Sequence, residues 1–227
     1  MKRPQPHRRC GEGQADPEGP LPARGDSMES KIVYFEDTRA DNTETTFRLV
    51  RERLNTLGIK KLVLASTTGT TARRALDFFK DQGVKLIVVP HQYDFVRKEN
   101  PFHADLAKRI REAGHEVHFG TMLFHTEDLY QSATPTLMAN LLRCFSQGVK
   151  VCFEIVMMAT DGGHLTNGEK VIAMAGTGRG SDTALVMQAA SSRSIKKLRV
   201  NEIICKPLNP LNIDEVRERL APEKAKY

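Results

Sequence analysis

The chain has 227 residues, with 34 Lys and Arg against 28 Asp and Glu, and its net charge of +6 is spread along the sequence. That length suits one α/β domain with a sizeable core, and so even a charge does not point to nucleic acid. No apolar run approaches the roughly 20 residues needed to cross a bilayer and the N-terminus has no apolar secretory stretch, so a cytoplasmic protein without membrane contact is expected.

The first 27 residues are rich in Pro, Gly and Arg and contain almost no β-branched or aromatic side chains. They cannot bury enough apolar surface to offset their ordering entropy, which predicts a disordered tail over 1–27 and a domain over 28–227. Ile32 to Phe35 reads as a strand and Asp41 to Leu57 as a helix, with Asp41 and Glu44 as a capping box and Gly58 as the stop. Lys61 to Ala65 and Lys85 to Val89 read as buried parallel strands. The helix between them, Arg73 to Gln82, closes at Gly83 and makes a βαβ crossover. A helix from Ala104 to Ala113 and a strand from Glu116 to Phe119 repeat the unit. Pro135 to Phe145 reads as a helix. In Val149 to Thr160 the β-branched residues suit a strand, but the length, Met157, Met158, Ala159 and the absence of breakers favour a buried helix. Lys170 to Ala175 and Val200 to Cys205 complete the strands, and Ile213 to Leu220 is a short final helix. This alternation predicts a three-layer α/β/α sandwich with a mostly parallel sheet.

In such a sheet ligands bind beyond the carboxyl ends of the strands, so the residues after each strand are the candidates. Ser66, Thr67, Thr68, Gly69, Thr70 and Thr71 follow one strand and open a helix, where free backbone N–H groups and hydroxyls suit a phosphate. Gly176, Thr177, Gly178, Arg179, Gly180, Ser181, Asp182 and Thr183 follow another. There the glycines admit a close backbone approach and Arg179 supplies a planar cation. Pro90, His91, Gln92 and Tyr93 follow a third strand and Gly120 with Thr121 a fourth. Hydroxyl- and glycine-rich connections also arise simply because they cap helices and turn chains, so two of them at one rim weigh more than either alone. No Gly-Lys-Ser/Thr follows the first loop and the second lacks dinucleotide spacing, so neither NTP hydrolysis nor NAD binding is expected.

Ser66-x-Thr68-Gly69-x-Thr71-Ala72-Arg73 resembles the loop of the pyruvate kinase C-terminal domain that, in regulated pyruvate kinases, cradles a phosphate of the allosteric sugar bisphosphate. Gly176 to Thr183 is similar to the second, Gly-rich effector loop of that domain. The whole stretch from about Ile32 to Pro207 resembles the stand-alone pyruvate kinase alpha/beta domain proteins, which also carry a T-H-x-Y segment matched here by Pro90-His91-Gln92-Tyr93. Pro90 in place of Thr removes a hydroxyl and an N–H from the rim. The resemblance implies a pyruvate kinase C-terminal domain-like fold and a site for a phosphorylated small molecule, flavin mononucleotide (FMN) or a sugar-phosphate-like ligand, in a sensor or regulatory role. It also implies a homo-oligomer. The β/α barrel that carries the kinase chemistry has no counterpart in this sequence, so pyruvate kinase activity is not expected. The alternative is a flavin-dependent enzyme that uses the same site.

Other groups read as structural. The histidines are scattered without ligand spacing and no metal is expected. Glu154 in an apolar helix needs a partner, and a paired structural role outweighs a general acid. Asp161-Gly162-Gly163 reads as a helix end and turn, Met157 and Met158 as core filling, and the Lys196 to Arg199 cluster as a solvated surface. The four cysteines, Cys10, Cys144, Cys152 and Cys205, form no C-x-x-C pair, so reduced thiols are expected, three of them in the core.

Overall fold

Among the described residues seven strands form one sheet in the order β1-β7-β6-β5-β2-β3-β4. The computed structural model describes residues 28–95 and 99–224, with side chains as far as residue 220. The expected tail, 1–27, and Cys10 with it, lie outside the described residues. From Lys31 onward the chain forms one compact unit.

The strands are β1 (Val33–Phe35), β2 (Lys61–Ala65), β3 (Lys85–Val89), β4 (Glu116–Val117), β5 (Lys170–Ala175), β6 (Thr183–Gln188) and β7 (Arg199–Pro207). All run in one direction except β6, which is antiparallel to both its neighbours, β5 and β7. The β-branched and aliphatic runs of β2, β3 and β5 are buried on both faces, as central parallel strands must be. Their period of two divides the core. Leu62, Leu64, Leu86, Val88, Ile172 and Met174 face one apolar cluster. Val63, Ile87, Val89, Val171 and Ala173 face the other.

The first cluster is closed by α1 (Thr43–Leu57), α2 (Thr70–Phe78) and α3 (Ala104–Glu112), through Phe47, Val50 and Leu54, Ala72 and Ala75, and Leu106 and Ile110. The second is closed chiefly by α5 (Thr134–Arg143) and α6 (Gln147–Asp161). A short helix, α4 (Glu127–Tyr130), precedes α5, and α7 (Ile213–Lys224) follows β7. The result is a three-layer α/β/α sandwich. α5 buries only Ala139 and leaves Leu137 and Leu141 exposed, with Phe145 just beyond it. No helix among the described residues is long and apolar enough to cross a membrane.

Several expectations needed correction. β6 is a strand that the expected set does not include: the Gly-rich loop joins two antiparallel strands, β5 and β6, and Thr183 is the first residue of the second. α2 begins at Thr70, three residues before the expected Arg73. The capping box at α1 does not form: Asp41 Oδ1 accepts the Thr43 N–H at 3.0 Å, whereas Glu44 and Asp41 both bind Arg74, at 3.2 and 2.6 Å. Cys144 is exposed, so among the described thiols only Cys152 and Cys205 are in the core. Burial raises the pKa of Cys152 and pushes that of Cys205 up to about 12, which keeps both as inert thiols.

α6 lies almost wholly inside the molecule, and Ser146 caps it by accepting the Val149 N–H at 3.0 Å. It carries a charged pair inward: Lys150 is 1% exposed and Glu154 2%, with Lys150 Nζ 2.5 Å from Glu154 Oε2. His125 Nε2 lies 3.0 Å from the same ammonium, and Glu154 Oε1 accepts the Phe124 N–H at 2.9 Å. The paired reading of Glu154 is therefore observed. Burial lowers the Lys150 pKa, and Glu154 opposes that shift. Because a buried carboxylate without its cation is costly, Lys150→Met is expected to lose about 3 kcal/mol of unfolding free energy in urea. Adding Glu154→Gln, which still accepts from Phe124, is expected to restore most of it. Equal losses in the single and double variants would show that the charge balance is not what the pair supplies.

Candidate functional site

β2 pairs in parallel with β5, Leu64 opposite Met174, and on its other side with β3, Ala65 opposite Val89. The connections that leave the carboxyl ends of β5, β2 and β3 therefore emerge side by side, and β4 adds the next one along. The hydroxyl-rich segment, the Gly-rich loop, the His91 segment and Thr121 all belong to this one edge. β1 and β7 also end here, so the start of α1 joins the same rim.

Gly69 is the N-terminal flank of α2 and has φ +88°. The left-handed backbone demands glycine, and a Cβ there would lie 2.3 Å from Leu106 Cδ2, so that the leucine would also have to shift. Ser66 is buried, and its hydroxyl accepts the Ala72 N–H at 3.1 Å, so it serves the helix end. Thr67 places its hydroxyl 3.2 Å from His91 Nε2. Thr68 and Thr70 are exposed, their hydroxyls 3.2 Å apart, beside the first-turn amides of α2, which have no intrahelical acceptor. Thr71 is buried under them.

The Gly-rich loop is tightly folded. A Cβ on Gly176 would lie 2.4 Å from the Gly180 carbonyl oxygen, and Gly178 and Gly180 have φ of +85° and +58°. Asp182 fastens the turn: its carboxylate accepts the Thr177 N–H at 3.0 Å and the Thr183 hydroxyl at 2.8 Å. Burial raises the Asp182 pKa, against these donors and the nearby Arg219 charge, which lower it. The loop is also pinned to α1. Ser181 donates its N–H to Thr43 Oγ1 at 2.9 Å, and Thr46 Oγ1 donates to the Ser181 carbonyl at 3.1 Å. Asp41 is in turn held below the usual carboxylate range, first by the Thr43 side chain and then, against some burial, by Arg74. Ser181 is 1% exposed, yet its hydroxyl has no hydrogen-bond partner among the described residues.

Thus Thr177, Asp182 and Thr183 shape the loop from inside, while Gly178 and Arg179 are on its exposed side. Gln92 Oε1 accepts the Met122 N–H at 2.7 Å, binding the β3 and β4 connections together. Tyr93 is 61% exposed and packs on Phe119, ring centroids 4.9 Å apart; Thr121 is exposed close by in sequence. His91 is mostly buried, edge-on to Phe95, whose ring meets His125 in the same way. Through His125 this wall reaches the Lys150–Glu154 pair. Sequence reasoning missed Thr43, Thr46, His125, Lys150 and Arg219. Asp41-x-Thr43 ahead of a helix is the signal in the sequence for the first.

A mainly parallel sheet whose Gly- and hydroxyl-rich connections gather at the carboxyl edge defines a doubly wound α/β domain. The chain belongs to the pyruvate kinase alpha/beta domain family, which it matches over residues 44–187, more than half its length and including both loops. Two solved structures share some similarity. A Cryptosporidium parvum pyruvate kinase in complex with ADP is 15% identical, with a TM-score of 0.35 over 75% of this chain and 25% of its own. A second pyruvate kinase structure from that organism is 14% identical, with a TM-score of 0.36 over 66% of this chain and 24% of its own. This chain spans about a quarter of the length of those proteins.

Burial depresses the His91 pKa from 6.5 to about 4; Glu154 opposes the shift, and His125 and Lys150 add to it. The unfolded chain therefore binds a proton between those values that the folded one refuses, so this contribution to stability is complete above pH 6.5 and is lost as the pH falls toward 4. On going from pH 7.5 to 5, His91→Gln is expected to lose about 2 kcal/mol less unfolding free energy than the parent protein. Parallel pH dependences in urea titrations would contradict the burial assigned to this imidazole.

Proposed function

We propose that this domain binds the phosphate end of a small organic molecule, FMN or a sugar-phosphate-like ligand, at the edge formed by the two loops, in a cytoplasmic sensing or regulatory role. The observation that supports the reading best is the adjacency of β2 and β5. Connections from adjacent strands share an edge, which supports a meeting there of the Thr70 and Thr71 amides at the start of α2, the Thr68 and Thr70 hydroxyls and the Gly-rich turn. Those are the donors a phosphate accepts from. The buried, unpartnered Ser181 hydroxyl adds to this, since such a group normally finds a partner.

The exposed Tyr93 ring against Phe119 favours a ligand with a planar ring, and so keeps the flavin-dependent enzyme as a second reading. The homo-oligomer that the family resemblance implies is likewise a proposal, supported by the exposed Leu137, Leu141 and Phe145.

Native mass spectrometry with an absorption spectrum of freshly purified protein tests for a retained ligand. Calorimetric titration with FMN, a sugar bisphosphate and inorganic phosphate tests the site itself. At least one phosphorylated compound is expected to bind, to be displaced by excess phosphate, and to bind about tenfold more weakly to Arg179→Ala. Binding of none of the three, or undiminished binding to Arg179→Ala together with Thr70→Val, would overturn the reading. Flavin absorbance that bleaches with a reductant and returns with an electron acceptor would favour the enzyme.

A further inference from the structure

Arg219 lies on α7, beyond the stretch matched by the family. Its Nη1 is buried and has no hydrogen-bond partner among the described residues. A guanidinium nitrogen withdrawn from water and left unpaired is unfavourable, and the usual remedy is an anion. The next residue, Leu220, packs on the tip of the Gly-rich loop: a Cβ at Gly178 would lie 3.0 Å from Leu220 Cδ2. Arg219 is also near enough to Asp182 for its charge to act on that carboxyl. No hydrogen bond between them is among those of the described residues, and the Asp182 carboxylate accepts instead from Thr177 and Thr183. Arg143 is engaged with Gln147 and Asn140 at 2.8 and 2.7 Å, and Arg217 with Asp214 at 3.3 Å.

We propose that Arg219 is a ligand-binding residue of the Gly-rich loop's site, and that together with Arg179 it selects a phosphate monoester dianion over a singly charged phosphodiester. The inference rests on the phosphate reading given above. A monoester near neutral pH carries close to two charges and three acceptor oxygens, and planar guanidiniums recognise such oxygens in pairs. The Gly-rich loop joins two strands, so it has no helix N-terminus of its own to supply positive potential; side-chain cations must supply it.

The test is calorimetric titration of the full chain at pH 8 with inorganic phosphate and with dimethyl phosphate, comparing the parent protein with Arg179→Ala, Arg219→Gln and Arg219→Lys. Arg219→Gln is expected to weaken phosphate binding by about tenfold to a hundredfold and to remove most of the preference over dimethyl phosphate. Arg219→Lys should fall between, and the melting temperature without phosphate should hold. If Arg219→Gln keeps the parent affinity and preference while melting lower, Arg219 is a counter-ion of Asp182 and the inference fails, although the phosphate reading stands if Arg179→Ala is weakened. Should Arg219→Gln not fold, Arg219→Lys decides, and parent-like selectivity in it overturns the inference. A parent protein that binds no phosphate brings down both.

Discussion

The parallel pairing of β2 with β5 is the constraint on which the rest of this structure depends. About a hundred residues of chain separate these strands, yet the register of Leu64 with Met174 sets their carboxyl ends together. Adjacent strands lie about 4.8 Å apart, so connections leaving them at the same end have to share a rim. A one-residue slip would exchange the two faces of β5 and turn its alternating residues into the wrong cores, so the apolar pattern that stabilises the sandwich also holds the loops in place.

Rigidity in the Gly-rich loop comes from the same economy of buried polar groups. Asp182 satisfies an amide and a hydroxyl of its own loop, and Thr43 and Thr46 secure the backbone of Ser181 to the start of α1. Each of these groups would be costly to bury alone, and bonded together they leave the turn few alternative shapes. A loop already held in one shape sacrifices less entropy when a ligand arrives. The hydroxyl-rich segment is built on a different plan. Its donors belong to the first turn of α2, and Gly69 lets the chain enter that turn hard against Leu106. The two loops thus offer distinct resources: a helix N-terminus on one side, a glycine turn flanked by arginines on the other.

Most of the fold was legible in the residues because strands with both faces buried are written as continuous apolar runs. Leu62 to Leu64, Leu86 to Val89 and Val171 to Met174 could be read without any long-range information. The helix at 147–161 was readable from length and the lack of breakers, even though its apolar surface runs all round. β6 escaped because Asp182 and Thr183 look like the tail of a loop, and only pairing with β5 makes Thr183 a strand residue. The rim residues were found from chain order alone, but their division of labour was not. Nothing local reveals that Ser66 serves Ala72, that Asp182 turns inward, or that Lys150 would be buried beside Glu154. Arg219 is the extreme case, since its interest lies in what surrounds one nitrogen after α7 has folded back onto Gly178.

The central claim is that two separated segments act on a single anion, and backbone amide resonances report on it residue by residue. In a titration of 15N-labelled protein with inorganic phosphate, amides of Thr68 to Thr71 and of Gly178 to Ser181 should shift together and fit one dissociation constant. Shifts confined to one segment, or two segments saturating at clearly different concentrations, would mean that no shared cradle exists.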